Sequence, residues 1–309
     1  MSSHTRTGSR RRTARVSAVA VLAAAALTGC SEDAKLGWMP TERGTTDNAD
    51  MILDLWIGSW IAALAVGLIT WGLLLWCMIA YRRRKNETGY PRQIAYHAPL
   101  EVFYTVVPIA LIVSLFFFTE RTQAAVTDRH ADPDVTVQVY GKQWSWDFNY
   151  LDEDVYETGT QAHLDGQEGA PDRVPTLYLP VDSEVELVLN SRDSQHSFWV
   201  PAFLEKSDLY PGRTNYLSFT TGREGEFYGK CAELCGEYHS EMLFNVAVVS
   251  QAEYDAQMEA LRAAGQTGQL GAEYDRDSYP DPGEEFTLDS PGAEFPGNVD
   301  QENDQTSNN

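Results

Sequence analysis

The chain has 309 residues, enough for one or two domains, and its formal charge of −22 is unevenly placed. Residues 1–119 carry 12 Lys/Arg against 8 Asp/Glu, a balance of +4, whereas residues 120–309 carry 11 against 37, a balance of −26. So acidic an exterior argues against nucleic acid, whose phosphates need a basic surface, and suits a basic partner or plain solubility.

The N-terminus, residues 1–29, reads as a secretion signal. Arg6, Arg10, Arg11, Arg12 and Arg15 make a charged region, and Val16 to Leu27 a short apolar core. It ends at Leu27-Thr28-Gly29-Cys30, which resembles the lipobox of bacterial lipoproteins. That resemblance implies cleavage before Cys30 and a membrane lipid on its sulfur. Residues 30–52 are polar, with Gly, Pro and Thr, and read as a linker.

Residues 53–81 are long, apolar and aromatic, broken only by Asp54, and predict a first membrane span. Trp56, Trp60, Trp71 and Trp76 include candidates for interfacial anchors. Arg82-Arg83-Arg84-Lys85 opens a basic loop over 82–97, and residues 98–119 predict a second span containing Pro108. The positive-inside rule puts the loop in the cytoplasm, so Cys30 and everything after residue 120 lie outside the bacterial cell membrane. His97 and Glu101 sit at the cytoplasmic mouth of the second span and read as solvated or partner-facing residues.

Residues 120–250 form the external domain. Val135-Thr136-Val137-Gln138-Val139-Tyr140, Val185-Glu186-Leu187-Val188-Leu189 and Asn245-Val246-Ala247-Val248-Val249 alternate in the manner of strands, with turn signals between such runs. The pattern predicts an antiparallel all-β sandwich or barrel. Residues 152–175, rich in Asp, Glu, Gly and Gln, read as an acidic loop inserted between strands. Ser250 with Glu253 forms a capping box for a short helix over 251–264, and the acidic, proline-bearing remainder of 251–309 reads as a disordered tail.

The chemistry concentrates in Cys231-Ala232-Glu233-Leu234-Cys235-Gly236-Glu237-Tyr238-His239-Ser240-Glu241-Met242, with His196 upstream. Thiolate, imidazole and thioether together select a soft, redox-active metal, above all copper. Structural zinc sites usually pair cysteines more closely and do not use methionine. A blue-copper site would offer one cysteine; two could bridge a pair of copper ions. The competing reading is a Cys231–Cys235 disulfide, which leaves the ordered C-x3-C-x3-H-x2-M series unexplained. With Cys30 assigned to lipid and Cys77 in a span, no cysteines remain for a disulfide framework.

These motifs, over roughly residues 50–250, resemble subunit II of the haem–copper cytochrome c oxidases, in its actinobacterial lipoprotein form. Gly141-Lys142-Gln143-Trp144-Ser145-Trp146, Lys206-Ser207-Asp208-x2-Pro211-Gly212-Arg213 and Glu101-x2-Tyr104-Thr105-Val106-Val107-Pro108 match three further segments of that family, the last with Tyr where Trp is usual. The resemblance implies a cupredoxin-like domain on a two-helix hairpin. It implies that Cys231 and Cys235 bridge two copper ions, with His196 and His239 as terminal ligands and Met242 and the Glu233 carbonyl as weak ones. The Glu233 side chain and Asp208 would serve a magnesium ion shared with subunit I. Trp144 would admit electrons from cytochrome c, while Trp146 packs in the core and Asp193 orients the His196 region, helps in docking or caps a turn. Electrons would pass to haem in subunit I, where oxygen becomes water with proton pumping, and subunit III would complete the assembly.

Nitrous oxide reductase has a similar ligand series but lacks the hairpin and the Trp144 segment. Quinol oxidase subunit II shares the architecture without the copper ligands, and a copper-storage protein would have no use for Glu233 and Asp208. The 152–175 insertion, the tail, and Ser194-Gln195 before His196 depart from the family's usual pattern. The resemblance to the actinobacterial form implies a membrane-anchored dihaem cytochrome c of a bc-type reductase supercomplex as donor, with the insertion contacting a partner subunit.

Overall fold

The computed structural model describes residues 31–84, 88–90, 93–162 and 174–275. The signal segment with Cys30, parts of the basic loop, the centre of the insertion and the tail from 276 onward lie outside the described residues.

Alternating apolar residues build ten strands among the described residues, in two five-stranded sheets. The first sheet runs β3-β2-β1-β5-β8: β3 is Val155–Thr158, β2 Ser145–Tyr150, β1 Val135–Lys142, β5 Glu184–Ser191 and β8 Asn215–Thr220. The second runs β4-β10-β9-β6-β7: β4 is Thr176–Pro180, β10 Leu243–Val249, β9 Gly225–Cys231, β6 His196–Val200 and β7 Glu205–Leu209. Their inner faces meet around Val137, Val139, Leu187, Leu189 and Val246, all without exposed surface. Trp146 stands edge-on to Phe198 and Phe244, with centroids 5.8 and 5.1 Å away, and those two rings stack at 4.7 Å. Each such ring contributes roughly 1.5–3 kcal/mol by leaving water.

The expected all-β sandwich is therefore present, with a correction to its pairing. β1 and β5 run parallel, as do β4 and β10. After β3 the chain crosses to the second sheet for β4 and returns for β5, and such crossovers, unlike tight hairpins, leave partners parallel.

Helix α1 is a single turn, Glu32–Lys35; α2 spans Asp47–Ala80 and α3 spans Ala98–Val126. Both α2 and α3 are long and apolar enough to cross a membrane. At 1.5 Å per residue the 34-residue α2 is about 51 Å long, well beyond the roughly 30 Å of hydrocarbon. It starts before the expected residue 53, and its extra turns have a purpose. Asp47 accepts hydrogen bonds from the Thr220 amide and hydroxyl at 2.8 and 3.0 Å. Asn48 donates to the Ser218 carbonyl at 2.9 Å and to Glu205 at 3.2 Å. Thr41 donates to the Ala202 carbonyl at 2.6 Å, and Thr45, Thr46 and Ala49 have no exposed surface. The supposed 30–52 linker is thus, from Thr41 on, a weld between α2 and the sandwich.

α3 likewise continues past the expected 119, and just beyond it Arg129 makes a two-pronged ion pair with Glu186 at 2.6 and 2.8 Å. At its other end His97 and Glu101 act as local caps: the His97 ring accepts from the Leu100 amide, and the Glu101 carboxylate from the His97 amide.

Two further expectations change. The 152–175 insertion opens as strand β3, paired with β2, and then passes the loop from Cys231 to Met242, where the Ala162 amide donates to the Glu241 carbonyl at 3.1 Å. Helix α4, Gln251–Ala263, has the expected capping box and buries Tyr254, Met258 and Leu261, spaced four and three residues apart. The tail does not leave the domain at 265. Buried Arg192 donates to the carbonyls of Leu270 and Gly271 at 3.0 and 2.8 Å and to Asp275 at 3.1 Å, and Asn149 exchanges two hydrogen bonds with Leu270.

Candidate metal centre

The second sheet brings the candidate ligands together. His196 opens β6 and Cys231 closes the neighbouring β9, with Phe198 opposite Cys231 in the ladder. The Ala232 amide donates to the Ser197 carbonyl at 3.0 Å, which ties the start of the ligand loop to β6. The Cys231 amide donates to the Met242 carbonyl at 3.0 Å, so the twelve-residue loop closes on itself. Between those ends Gly236 takes φ +131°, and His239–Glu241 form one tight helical turn.

Inside this loop the two sulfurs lie 3.9 Å apart as free thiols, not as a disulfide. Cys231 Sγ is 3.9 Å from His196 Nδ1 and 3.2 Å from the Glu233 carbonyl oxygen. Cys235 Sγ is 3.6 Å from His239 Nδ1 and 3.7 Å from Met242 Sδ. Ligand atoms of His196, Cys231 and Cys235 all fall within 4.8 Å of one another, and these three residues and Met242 are buried. Two sulfurs are thus ringed by two imidazole nitrogens, a thioether and a carbonyl, a donor set that fits copper and not a hard cation.

The contact with Cys235, opposed by burial and joined by His196, pulls the Cys231 thiol well below the ordinary thiol range. The same contact raises Cys235, and burial adds to it. Metal binding would displace thiol protons, since thiolates are the ligands. Burial pulls His196 down, but its hydrogen bonds to Asp193 and Cys231 outweigh this and leave it raised. Asp193 sits 2.7 Å from His196 Nε2 and is held below the carboxylate range: burial raises it, and bonds from His196, Gln143 and Ser194 prevail. The Asp193 contact directs His196 Nδ1 toward the sulfurs, the usual work of a carboxylate behind a ligating histidine.

Two glycines are required by close approach. A Cβ on Gly141 would lie 2.9–3.1 Å from three atoms of His196, and one on Gly236 would lie 3.1 Å from the Trp144 ring. Trp144 is therefore not a freely exposed aromatic; it is half-buried over Gly236 and edge-on to Tyr238 at 4.9 Å. It still adjoins the ligand loop next to Cys235. Trp146 is fully buried, and its indole N–H lies 3.4 Å from the Met242 carbonyl.

Asp208 lies on β7 opposite Ser197, accepting from Lys206 at 3.0 Å and from the Tyr210 hydroxyl at 3.2 Å. The Glu233 side chain is half-buried on the ligand loop. Among the described residues neither carboxylate belongs to the clustered ligand set.

The comparisons fit this geometry. Residues 135–249 match the family model described as cytochrome c oxidase subunit II, periplasmic domain. A probable cytochrome c oxidase subunit 2 of Streptomyces avermitilis is 43% identical over 283 residues, covering 81% of this chain and 87% of that one. The chain belongs to the cytochrome c oxidase subunit II family. The subunit 2 of Corynebacterium diphtheriae is 33% identical, covering 74% of this chain and 79% of its own. Among solved structures, the periplasmic domain of subunit II (CoxB) of Bradyrhizobium japonicum is 29% identical, covers 43% of this chain and 96% of its own, and has a TM-score of 0.39.

Sequence reasoning assigned no role to Gly141 or Gln143, although both belong to the segment matched to the family. The signal that could have found Gly141 is a glycine within a strand, which marks a close approach.

Proposed function

We propose that this chain is the electron-accepting subunit of a cytochrome c oxidase, taking electrons from a c-type cytochrome and delivering them to haem in subunit I. The observation that carries the reading is the closed loop, in which both sulfurs are ringed by His196, His239, Met242 and the Glu233 carbonyl. Cys231 and Cys235 would bridge two copper ions between His196 and His239, with Met242 and the Glu233 carbonyl as weaker donors. A copper pair held by these residues would supply a one-electron redox site. The residues do the rest. Asp193 fixes the His196 ring, and the burial of Cys231 and Cys235 keeps water from the sulfurs.

Trp144 would be the entrance for electrons, with Tyr238 beside it. The Glu233 carboxylate and Asp208 would contribute to a magnesium site that subunit I completes, because two carboxylates alone are too few oxygen ligands. α2 and α3 would cross the bacterial membrane as a hairpin, with the sandwich outside, Cys30 lipidated, and subunits I and III alongside. The donor would be a membrane-anchored dihaem cytochrome c in a reductase supercomplex, with the 152–175 insertion facing a partner. In such a complex oxygen reduction and proton pumping belong to subunit I.

Rapid mixing of the copper-loaded chain with a reduced c-type cytochrome tests this. Fast reduction is expected, slowed by Trp144→Ala at unchanged copper content. An equal rate in Trp144→Ala would remove Trp144 from the path; no reduction of the wild type would overturn the electron-accepting role.

A further inference from the structure

Two separate stretches supply the candidate ligands, the turn leading into β6 with His196 and the loop from Cys231 to Met242. One residue outside both hydrogen-bonds to each. The backbone N–H of Gln143 donates to Asp193 Oδ2 at 2.7 Å, and the other oxygen of that carboxylate holds His196 Nε2 at 2.7 Å. The side-chain Nε2 of the same Gln143 donates to the Cys235 carbonyl at 2.7 Å. The adjoining Trp144 ring covers Gly236, so the β1–β2 turn contacts both residues 235 and 236.

We propose that Gln143 is a positioning residue for the dinuclear centre, setting the placement of the Cys235 thiolate relative to His196. The inference rests on the copper reading above and deepens it. The physical basis is geometric. Cys235 lies on an irregular stretch between β9 and the turn at His239, where no strand ladder fixes its carbonyl. Gln143 lies in the short turn joining β1 and β2, and β1 is paired on both sides within the first sheet. The amide contact therefore transfers the rigidity of one sheet to a ligand loop hung from the other. A site that must exchange electrons with little rearrangement benefits from that constraint, because ligand residues are held best by a second layer of hydrogen bonds.

The test separates hydrogen bonding from packing. Gln143→Met keeps the side chain's length and removes its donor, while leaving the backbone bond to Asp193. Gln143→Ala removes both packing and donor. Full-length wild type and both variants are loaded with copper, and two quantities are recorded: the copper hyperfine pattern by EPR, and the rate of copper loss to a chelator. If the bond is already broken in the transition state for release, losing a net hydrogen bond of ordinary strength speeds release roughly threefold to tenfold. Gln143→Met and Gln143→Ala should both release copper about that much faster and show unequal coupling to the two metals. Wild-type behaviour in Gln143→Met with a defect only in Gln143→Ala would overturn the proposal, since packing alone would then account for it. Wild-type behaviour in both overturns it as well. Failure of the wild type itself to take up two coppers is a different outcome, and overturns the underlying copper reading.

Discussion

Gly141→Ala is the smallest change that presses directly on a candidate ligand. The added Cβ would stand 2.9, 3.0 and 3.1 Å from Cδ2, Cγ and Cβ of His196, against 3.4 Å where ordinary contact begins. His196 has no exposed surface, its far nitrogen is pinned to Asp193 at 2.7 Å, and Trp146 lies beside it with ring centroids 6.4 Å apart. The ring must therefore move by a few tenths of an ångström or β1 must bow outward. Overpacking of this kind costs about 1–3 kcal/mol. At roughly 2–4 °C per kcal/mol for a domain of this size, the melting temperature of the copper-free chain should fall by about 2–12 °C. In the copper-loaded chain the displaced imidazole should change the EPR hyperfine pattern and speed copper loss to a chelator. Gly72→Ala in α2, where an added Cβ meets nothing within 4 Å, is the control and should change neither copper readout. An unchanged spectrum and release rate in Gly141→Ala would refute the claim that this glycine makes room for His196.

Further predictions concern the framework. Burial, opposed by the Asn48 hydrogen bond and reinforced by Asp47, pushes Glu205 up from an ordinary 4.5 to about 8. Between those values the folded chain keeps a proton that the unfolded chain has lost, so stability falls as pH rises through that window and the penalty is complete above it. At 1.36 kcal/mol per unit the ceiling is roughly 5 kcal/mol. Glu205→Gln should melt with the wild type at pH 4.5 and above it at pH 9; a gap independent of pH would contradict the burial argument. Arg192→Leu leaves buried Asp147 without its 2.7 Å partner and releases the segment ending at Asp275. Because Lys142 still pairs with Asp147 at 2.5 Å, the cost should be about 1.5–3 kcal/mol, and limited proteolysis should cut between 264 and 275, where the wild type resists. Ser250→Ala removes the cap of α4 and should cost about 1 kcal/mol in a thermal melt.

The parts that could be read in advance are those whose cause is local. Cys231, Cys235, His239 and Met242 share one short loop, so their clustering could be read from their spacing. The two apolar helices and the capping box at Ser250 are likewise written in contiguous residues. Asp47 and Asn48 read as linker because their partners, Thr220 and Ser218, are some 170 residues away. Gly141 and Gln143 act across a turn onto His196 and Cys235, and neither residue type implies a ligand by itself. The parallel pairing of β1 with β5 depends on a crossover between sheets, which strand alternation does not encode. Composition suggested that the segment from 265 to 275 would be disordered, yet Arg192 and Asn149 supply hydrogen bonds that its few apolar residues do not replace.

The central claim is that the closed loop holds two coppers between two sulfurs. The most direct measurement is copper stoichiometry together with EPR on the full-length chain after copper loading under mild reduction. The account predicts two coppers per chain and a mixed-valence spectrum with hyperfine coupling to two equivalent metals, both lost in Cys235→Ser. A single copper per chain, or a colourless protein with a Cys231–Cys235 disulfide formed even with copper present, would contradict it.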